Sequence, residues 1–213
     1  LEDWTVGGSF GFETSTSTAS GGASRVTGET LVLGLSARRD LGGLILTTAL
    51  MGSTGSYDTR RDIPLPEGSE RAEGSYDAQS AALRLRLEKP FSQGAGYLRP
   101  MIDLDAVYTS AGGYTEQGAG EENLHVSGSD ATALMLTPAI EAGRDFALKD
   151  GNHLRAYTRL GWTLSTADAY ATDARFAAAP ASVGGFETAL TLPDSAGTLS
   201  AGVQLLGDPQ TRR

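Results

Sequence analysis

Residues 83–87 read LRLRL, so Leu83, Leu85 and Leu87 alternate strictly with Arg84 and Arg86. Successive side chains of a β-strand point to opposite faces, which gives this run one apolar and one cationic face. The same period of two recurs along the chain. Trp4, Val6, Phe10 and Phe12 oppose Thr5, Gly7, Ser9 and Gly11, and Leu31, Leu33, Leu35 and Ala37 oppose Thr30, Gly34, Ser36 and Arg38. Leu44, Leu46 and Leu50 continue the pattern after Asp40-Leu41-Gly42-Gly43, which reads as a tight hairpin turn. Leu98, Ile102, Leu104, Ala106 and Tyr108 oppose Arg99, Asp103 and Asp105, while Leu134, Leu136, Ile140 and Ala142 oppose Thr137 and Glu141. Leu154, Ala156, Leu160, Trp162 and Leu164 oppose Arg155, Tyr157, Arg159 and Thr163, and Leu199, Ala201, Val203 and Leu205 oppose Ser200, Gly202 and Gln204. These segments predict about eight strands.

Long polar linkers near 13–28, 57–75, 110–123 and 165–185 read as loops, and they alternate with short links near 40–43, 90–96 and 148–153. Long tips then lie at one end and short turns at the other, as in an up-and-down antiparallel meander. Glycine, at 28 of 213 residues, is nearly double its usual share of about 7% and disfavours a helical bundle. No apolar run approaches 20 residues, so no membrane-spanning helix is expected. A net charge of −9 disfavours nucleic acid as a partner, and the absence of cysteine excludes disulfides and thiolate metal sites. No cofactor and no metal site are expected.

An alternating sheet can bury its apolar face in a dry core or turn it to lipid around a wet lumen. The mid-strand charges Arg38, Arg84, Arg86, Arg99, Arg155 and Arg159, with Asp103, Asp105 and Glu141, are flanked by small residues, which suits a crowded, wet interior and demands pairing or water. Segments of about 9–11 residues meet the membrane requirement, and only a closed barrel leaves no bare edge in lipid. Trp4, Tyr97, Tyr108 and Trp162 are candidates for interfacial girdles. A soluble ligand-binding β-barrel with the leucine face as its core stays open at this point.

The stretch from Tyr97 through Val126, with Leu98-Arg99-Pro100 opening a strand, the loop Tyr114-Thr115-Glu116-Gln117-Gly118-Ala119 and then Leu124-His125-Val126, resembles the translocator β-barrel of autotransporters, the type V secretion proteins of Gram-negative bacteria. Gly143, Gly161-Trp162 and Leu199-Ser200-Ala201-Gly202-Val203 extend the resemblance over most of residues 97–206. It implies an all-β, antiparallel up-and-down transmembrane barrel in the outer membrane, with about eight strands of a roughly twelve-stranded barrel in residues 1–213. It also implies a non-enzymatic role in anchoring and exporting an N-terminal passenger domain. The expected partners are outer-membrane lipid, the chain's own passenger and linker, and the barrel assembly machinery. The family's terminal aromatic is replaced here by Gly207-Asp208-Pro209-Gln210-Thr211-Arg212-Arg213, so a stretch incomplete at both ends is expected. Arg86, Arg99, Asp103, Asp105, Glu141, Arg155 and Arg159 would line the lumen and touch the linker, or brace the wall as a salt-bridge network. The competing function is an outer-membrane pore or adhesion barrel without a passenger.

Several constellations imitate catalytic motifs. Gly7-Gly8-Ser9-Phe10-Gly11 matches the G-x-S-x-G string of a nucleophile elbow, but it sits inside an alternating strand rather than at a strand-to-helix turn. His125 and His153 read as solvated or capping residues. Glu116, Glu121 and Glu122 match no calcium-loop spacing and read as a solvated acidic tip. Asp103 and Asp105 share a face about 7 Å apart, which invites a paired-carboxylate cleavage site by resemblance, and nearby arginines account for them more simply.

Overall fold

The computed structural model describes residues 3–19, 23–66, 68–148, 152–166, 170–180, 182–191 and 193–207, so the terminal segment 208–213 and residues 149–151 of the short link 148–153 lie outside the described residues. Its strands are β1 (Trp4–Ala19), β2 (Ser24–Asp40), β3 (Ile45–Leu65), β4 (Gly68–Glu88), β5 (Phe91–Gln93), β6 (Gly96–Ala111), β7 (Tyr114–Thr115), β8 (Leu124–Val126), β9 (Ser129–Ala147), β10 (His153–Ser165), β11 (Tyr170–Phe176), β12 (Phe186–Leu190) and β13 (Ser195–Leu206). Eight form one curled antiparallel sheet in the order β1-β2-β3-β4-β6-β9-β10-β13, with β5 paired to β6. The short strands make a second sheet, β12-β11-β8-β7. The long strands follow one another in chain order, which is the expected meander. Among the described residues β1 and β13 each have one neighbour, so the long sheet is open at both edges.

Register carries the alternation across the whole sheet, because directly opposed residues share a face. Leu35 pairs with Leu50, Leu50 with Leu83, Leu85 with Leu104, Leu104 with Leu136, and Leu160 with both Ile140 and Leu199. Most large apolar side chains of this face are exposed, from 36% at Leu87 to 75% at Leu199, with Trp4, Leu46 and Leu154 half-buried. On the other face Asp103 is 2% exposed, Glu88 4% and Asp105 7%. Burial is thus inverted relative to a protein that folds around a dry core. The buried apolar residues among those described are Ile45, Ala72, Met101 and Ala119.

At the short-turn end the hairpin expected at 40–43 is present. Gly42 and Gly43 take φ of 77° and 89°, the Leu41 N–H donates to the Leu44 carbonyl at 2.7 Å, and the Gly43 N–H donates to Asp40 Oδ1 at 2.6 Å. At the other end two expected loops prove to be strand. β1 and β2 pair as far as Ala19↔Ser24, and β3 and β4 pair without a break from Ile45↔Glu88 to Leu65↔Gly68. The polar stretch 57–75 is therefore a projecting hairpin. Its outward residues Ser56, Asp58, Arg60 and Asp62 are all polar, so the apolar signal of period two vanishes while the backbone ladder continues. Strands of 21 residues span roughly 70 Å, well past an apolar band of about 25 Å. The linkers 110–123 and 165–185 likewise contain β7, a 3₁₀ turn at Gly120–Glu122, and β11.

Candidate functional site: the inner face of the sheet

The strands β2, β4, β6, β9 and β10 bring every charge expected on the polar face to one side of the sheet. Arg84 lies directly opposite Asp105, and Arg86 opposite Asp103. Both pairs are two-pronged: Arg84 donates through Nε at 2.6 Å and Nη2 at 3.1 Å, and Arg86 through the same atoms at 2.6 and 2.7 Å. Arg159 reaches over β9 from β10 and donates to the second oxygen of Asp103 at 3.2 Å. Arg155 holds its register partner Asp145 at 2.7 and 2.8 Å. Arg99 lies 3.6 Å from Glu141 and 3.8 Å from Glu88, which Arg38 approaches at 3.3 Å. Forked arginine–carboxylate geometry of this kind is both strong and directional.

All seven residues expected to line the lumen, Arg86, Arg99, Asp103, Asp105, Glu141, Arg155 and Arg159, belong to this face. The network also takes in residues that the seven omitted: Arg38, Arg84, Glu88, Asp145 and Tyr97. Parity would have found the last three, since Glu88 continues the Arg84, Arg86 row, Asp145 shares a row with Glu141, and Tyr97 shares one with Arg99. Tyr97 is a correction. It is not a girdle residue but an inner one, donating its hydroxyl to Glu141 Oε1 at 2.7 Å, with the guanidinium carbons of Arg99 and Arg155 at 5.1 and 5.0 Å from its ring centre. An odd-numbered residue of β6 must face the charges, and its long side chain reaches them.

Trp4, Tyr108 and Trp162 do lie on the outer face, as their pairing with Arg39, Ala81 and Gly197 shows. Near the short-turn end three cations sit over aromatic rings: Arg39 over Trp4 at 5.5 Å, Lys89 over Phe91 at 5.4 Å and Arg144 over Phe146 at 5.6 Å. Amphipathic pairs of this sort suit the boundary between hydrocarbon and headgroups.

At the long-loop end the segment 112–128 folds onto the inner face of the β3–β4 hairpin. Glu116 is not part of a solvated tip: it is 5% exposed, accepts from Arg61 Nε at 3.2 Å and Nη2 at 2.6 Å, and accepts the Leu124 N–H at 2.8 Å. The hydrogen bond to Glu116 raises the Arg61 pKa above its ordinary value, burial opposing it. The polar sequence around Glu116 hides this, because its partner lies 55 residues away. Glu73 and Gln117 exchange backbone hydrogen bonds at 2.9 and 2.8 Å, and the rings of Tyr57, Tyr76 and Tyr114 stack at 5.2 and 5.5 Å. Burial raises the Tyr114 pKa. Glu121 and Glu122 occupy the 3₁₀ turn, and no metal-binding group of acidic residues or histidines occurs among the described residues.

The remaining catalytic look-alikes are placed as strand chemistry. Ser9 lies mid-strand in β1 opposite Gly34, and the strand runs on to Ala19. The His125 Nδ1 pairs with Thr115 Oγ1 at 2.9 Å, and His153 opens β10 in solvent. Asp103 and Asp105 are occupied by arginines.

An antiparallel meander with leucines outside and buried, paired charges inside is the wall of an outer-membrane-type β-barrel. The family model described as Autotransporter beta-domain matches residues 1–212, and the chain belongs to that family. Its role there is that of a translocator barrel of type V secretion, a non-catalytic class whose place is the bacterial outer membrane. The fold is similar to the crystal structure of the beta domain of the Bordetella autotransporter BrkA, with a TM-score of 0.55 at 24% identity over 94% of this chain and 82% of that one. No curated protein matches the chain.

Proposed function

We propose that this chain forms the wall of an outer-membrane translocator that anchors an N-terminal passenger and assists its export through a polar lumen. The carrying observation is the inversion of burial, with leucines exposed on one face and Asp103, Asp105 and Glu88 sequestered on the other. In lipid the outer face costs nothing to expose, and the inner charges keep water and each other as partners. The two open edges support completion by further strands into a larger barrel of about twelve, because an unpaired edge in hydrocarbon leaves its N–H and C=O groups unsatisfied. The outward cation–aromatic pairs support contact with lipid headgroups at the short-turn end, and the exposed backbone edges suit delivery by the barrel assembly machinery.

On this reading Arg86, Asp103, Asp105, Arg155 and Arg159 brace the lumen wall, and Arg99 and Glu141 extend the brace toward Arg38. The test is an epitope tag placed N-terminal to Leu1 in the full gene product, followed by protease shaving of intact cells. The tag is expected to be cleaved from outside while the barrel remains in the outer-membrane fraction. A tag retained in the periplasm beside a folded barrel would overturn the export reading, and solute conductance in that case would favour a passenger-free pore.

A further inference from the structure

The outer face is not a uniform leucine wall. Across β1, β2 and β3 it carries an apolar groove of about 520 Å³ lined by Gly8, Phe10, Leu33, Leu35, Leu50 and Gly52. Gly8 stands between Val6 and Phe10 on the outer face of β1, and Gly52 follows Leu50 on that of β3. The protein's own packing does not require glycine at either place: a Cβ at Gly8 would come no nearer than 3.8 Å to the neighbouring strand, and one at Gly52 no nearer than 3.9 Å. By contrast, Gly28, Gly143 and Gly202 lie under the rings of Tyr57, Tyr97 and Tyr157. The room at Gly8 and Gly52 is therefore left to whatever surrounds the wall, and around a lipid-facing wall that is acyl chain. Toward the short-turn end the next outward row across β2 and β3 holds the small Ala37 and Thr48, and the row after it Arg39 and Leu46. Arg39 lies over the Trp4 ring at 5.5 Å, and its ion pair with Asp3, at 3.5 Å, joins side chains 40% and 70% exposed, which makes it a weak one. From Arg39 to Leu33 is roughly 20 Å along the strand, or about 15 Å of depth at the usual barrel tilt, half of a hydrocarbon core of about 30 Å.

From the cation and the groove together we infer that the outer face of β1–β3 seats one anionic phospholipid of the leaflet at the short-turn end, with its phosphate at Arg39 beside Trp4 and one acyl chain in the groove between Gly8 and Gly52. The inference rests on the outer-membrane reading of the leucine face. Charge selects the leaflet. On the outer face at the short-turn end Arg39, Lys89 and Arg144 outnumber Asp3 among the described residues. At the other end the outward row just beyond Leu31, Thr54 and Gln79 holds Glu29 and Asp77, which repel an anionic headgroup. Charge also selects the lipid, since a guanidinium matched to a phosphate in forked geometry gains more than Arg39 has from one distant oxygen of Asp3. Depth selects the groove, because a chain anchored at Arg39 runs past Ala37 and Thr48 and reaches Leu33 and Gly52 within its own half of the bilayer.

The experiment uses the full chain folded in detergent micelles, with phosphatidylglycerol and phosphatidylethanolamine of identical acyl chains supplied at equal concentration. Mass spectrometry of the intact protein released from the micelle counts the lipids it retains. One retained lipid is expected, with phosphatidylglycerol favoured about fivefold, the effect of one basic residue on an anionic headgroup. Arg39→Gln should bring that ratio to about one. Gly52→Leu, which fills the groove without touching a charge and meets no steric obstacle, should abolish retention of both lipids. Arg144→Gln, an outward cation on β9 far from the groove, should leave ratio and retention unchanged. Heat-modifiable migration checks that each variant is folded, and Gly52→Leu keeps the test open should Arg39→Gln fail to fold. Equal retention of the two lipids, a ratio indifferent to Arg39→Gln or lowered as much by Arg144→Gln, or retention indifferent to Gly52→Leu would overturn the site. A lipid-free dimer in the same spectrum would overturn it too, by placing a second copy over the groove. Protease shaving reads export separately: display lost with lipid retention intact overturns the export reading alone, and retention lost with display intact overturns this site alone.

Discussion

Asp103 is the residue whose loss should cost the wall most. Its two oxygens take three arginine hydrogen bonds, at 2.6, 2.7 and 3.2 Å, from Arg86 and Arg159 on strands either side of β9 and β6. Asp103→Asn keeps volume and shape but leaves two guanidinium groups without their counter-charge. Breaking a buried pair from one side costs about 3–5 kcal/mol. Arg86 and Arg159 keep 23% and 26% of their surface, so lumen water recovers part of this and the expected loss is about 3 kcal/mol. Asp105→Asn is the matched control. Its partner Arg84 is 52% exposed, and the loss should be about 1 kcal/mol. The assay is urea unfolding of the chain in vesicles of fixed composition, followed by the fluorescence of Trp162. An Arg86→Gln/Asp103→Asn double variant should show a coupling of about 0.5–3 kcal/mol. If Asp105→Asn destabilises as much as Asp103→Asn, the argument that shared, sequestered carboxylates carry the brace is wrong.

Leu85→Arg, at the centre of the LRLRL run and on the outer face, should cost about 2–4 kcal/mol and lower the folded fraction seen as heat-modifiable migration, whereas Ser80→Arg on the inner face of the same strand should be tolerated. Gly118→Ala should release the 112–128 segment from the β3–β4 hairpin, because Gly118 takes φ of 101° and a Cβ there would stand 2.6 Å from the Arg71 carbonyl oxygen. A cost of about 1–3 kcal/mol should appear as faster hydrogen exchange at the Gln117 amide. Hydrogen bonds from Arg60 and Arg71 lower the pKa of Asp62 on the projecting hairpin. Its folded pKa lies below the unfolded value of about 3.9, so the contribution is complete above that pH and is lost as pH falls through the folded value. Amide exchange around Asp62 should therefore rise only on acidification below about pH 4.

The sequence made the long sheet legible where the outer face is apolar. In the bilayer band, period two is enforced by lipid on one side and water on the other, and each of the eight segments found by alternation is a long strand. It failed where both faces are polar. Asp58, Arg60 and Asp62 give the β3 extension no apolar partner to alternate with, yet its ladder to β4 runs to Leu65. The same blindness hid Arg61–Glu116, since a pair 55 residues apart leaves no local trace. On the inner face, parity assigned the side correctly and would have assigned Glu88 and Asp145. What it could not supply was which arginine reaches which carboxylate, because Arg159 passes over β9 to Asp103 rather than stopping at its register partner Glu141.

Those inner pairs also answer a question the outer face leaves open, namely what sets the register. A slip by one residue turns the leucines inward and is excluded by lipid. A slip by two keeps every leucine outside, and hydrocarbon does not distinguish Leu83 from Leu85, so the apolar face is nearly indifferent to it. The charges are not. Moving β4 by two against β6 in one direction keeps Arg86 opposite a carboxylate, Asp105, but sets Glu88 opposite Asp103 and strands Arg84 opposite Val107. In the other direction Arg84 meets Asp103 and Glu88 meets Arg99, but Asp105 meets Ala82 and Arg86 meets Met101, which strands both charges and takes Glu88 out of reach of Arg38. The observed register is the one that matches Arg84 with Asp105 and Arg86 with Asp103 together. Arg99↔Glu141 and Asp145↔Arg155 apply the same constraint to the next two seams. Buried charge pairs contribute little net stability when compared with well-packed apolar side chains. In a sheet whose apolar side meets fluid lipid, they are the part of the wall that tells neighbouring strands where to stop.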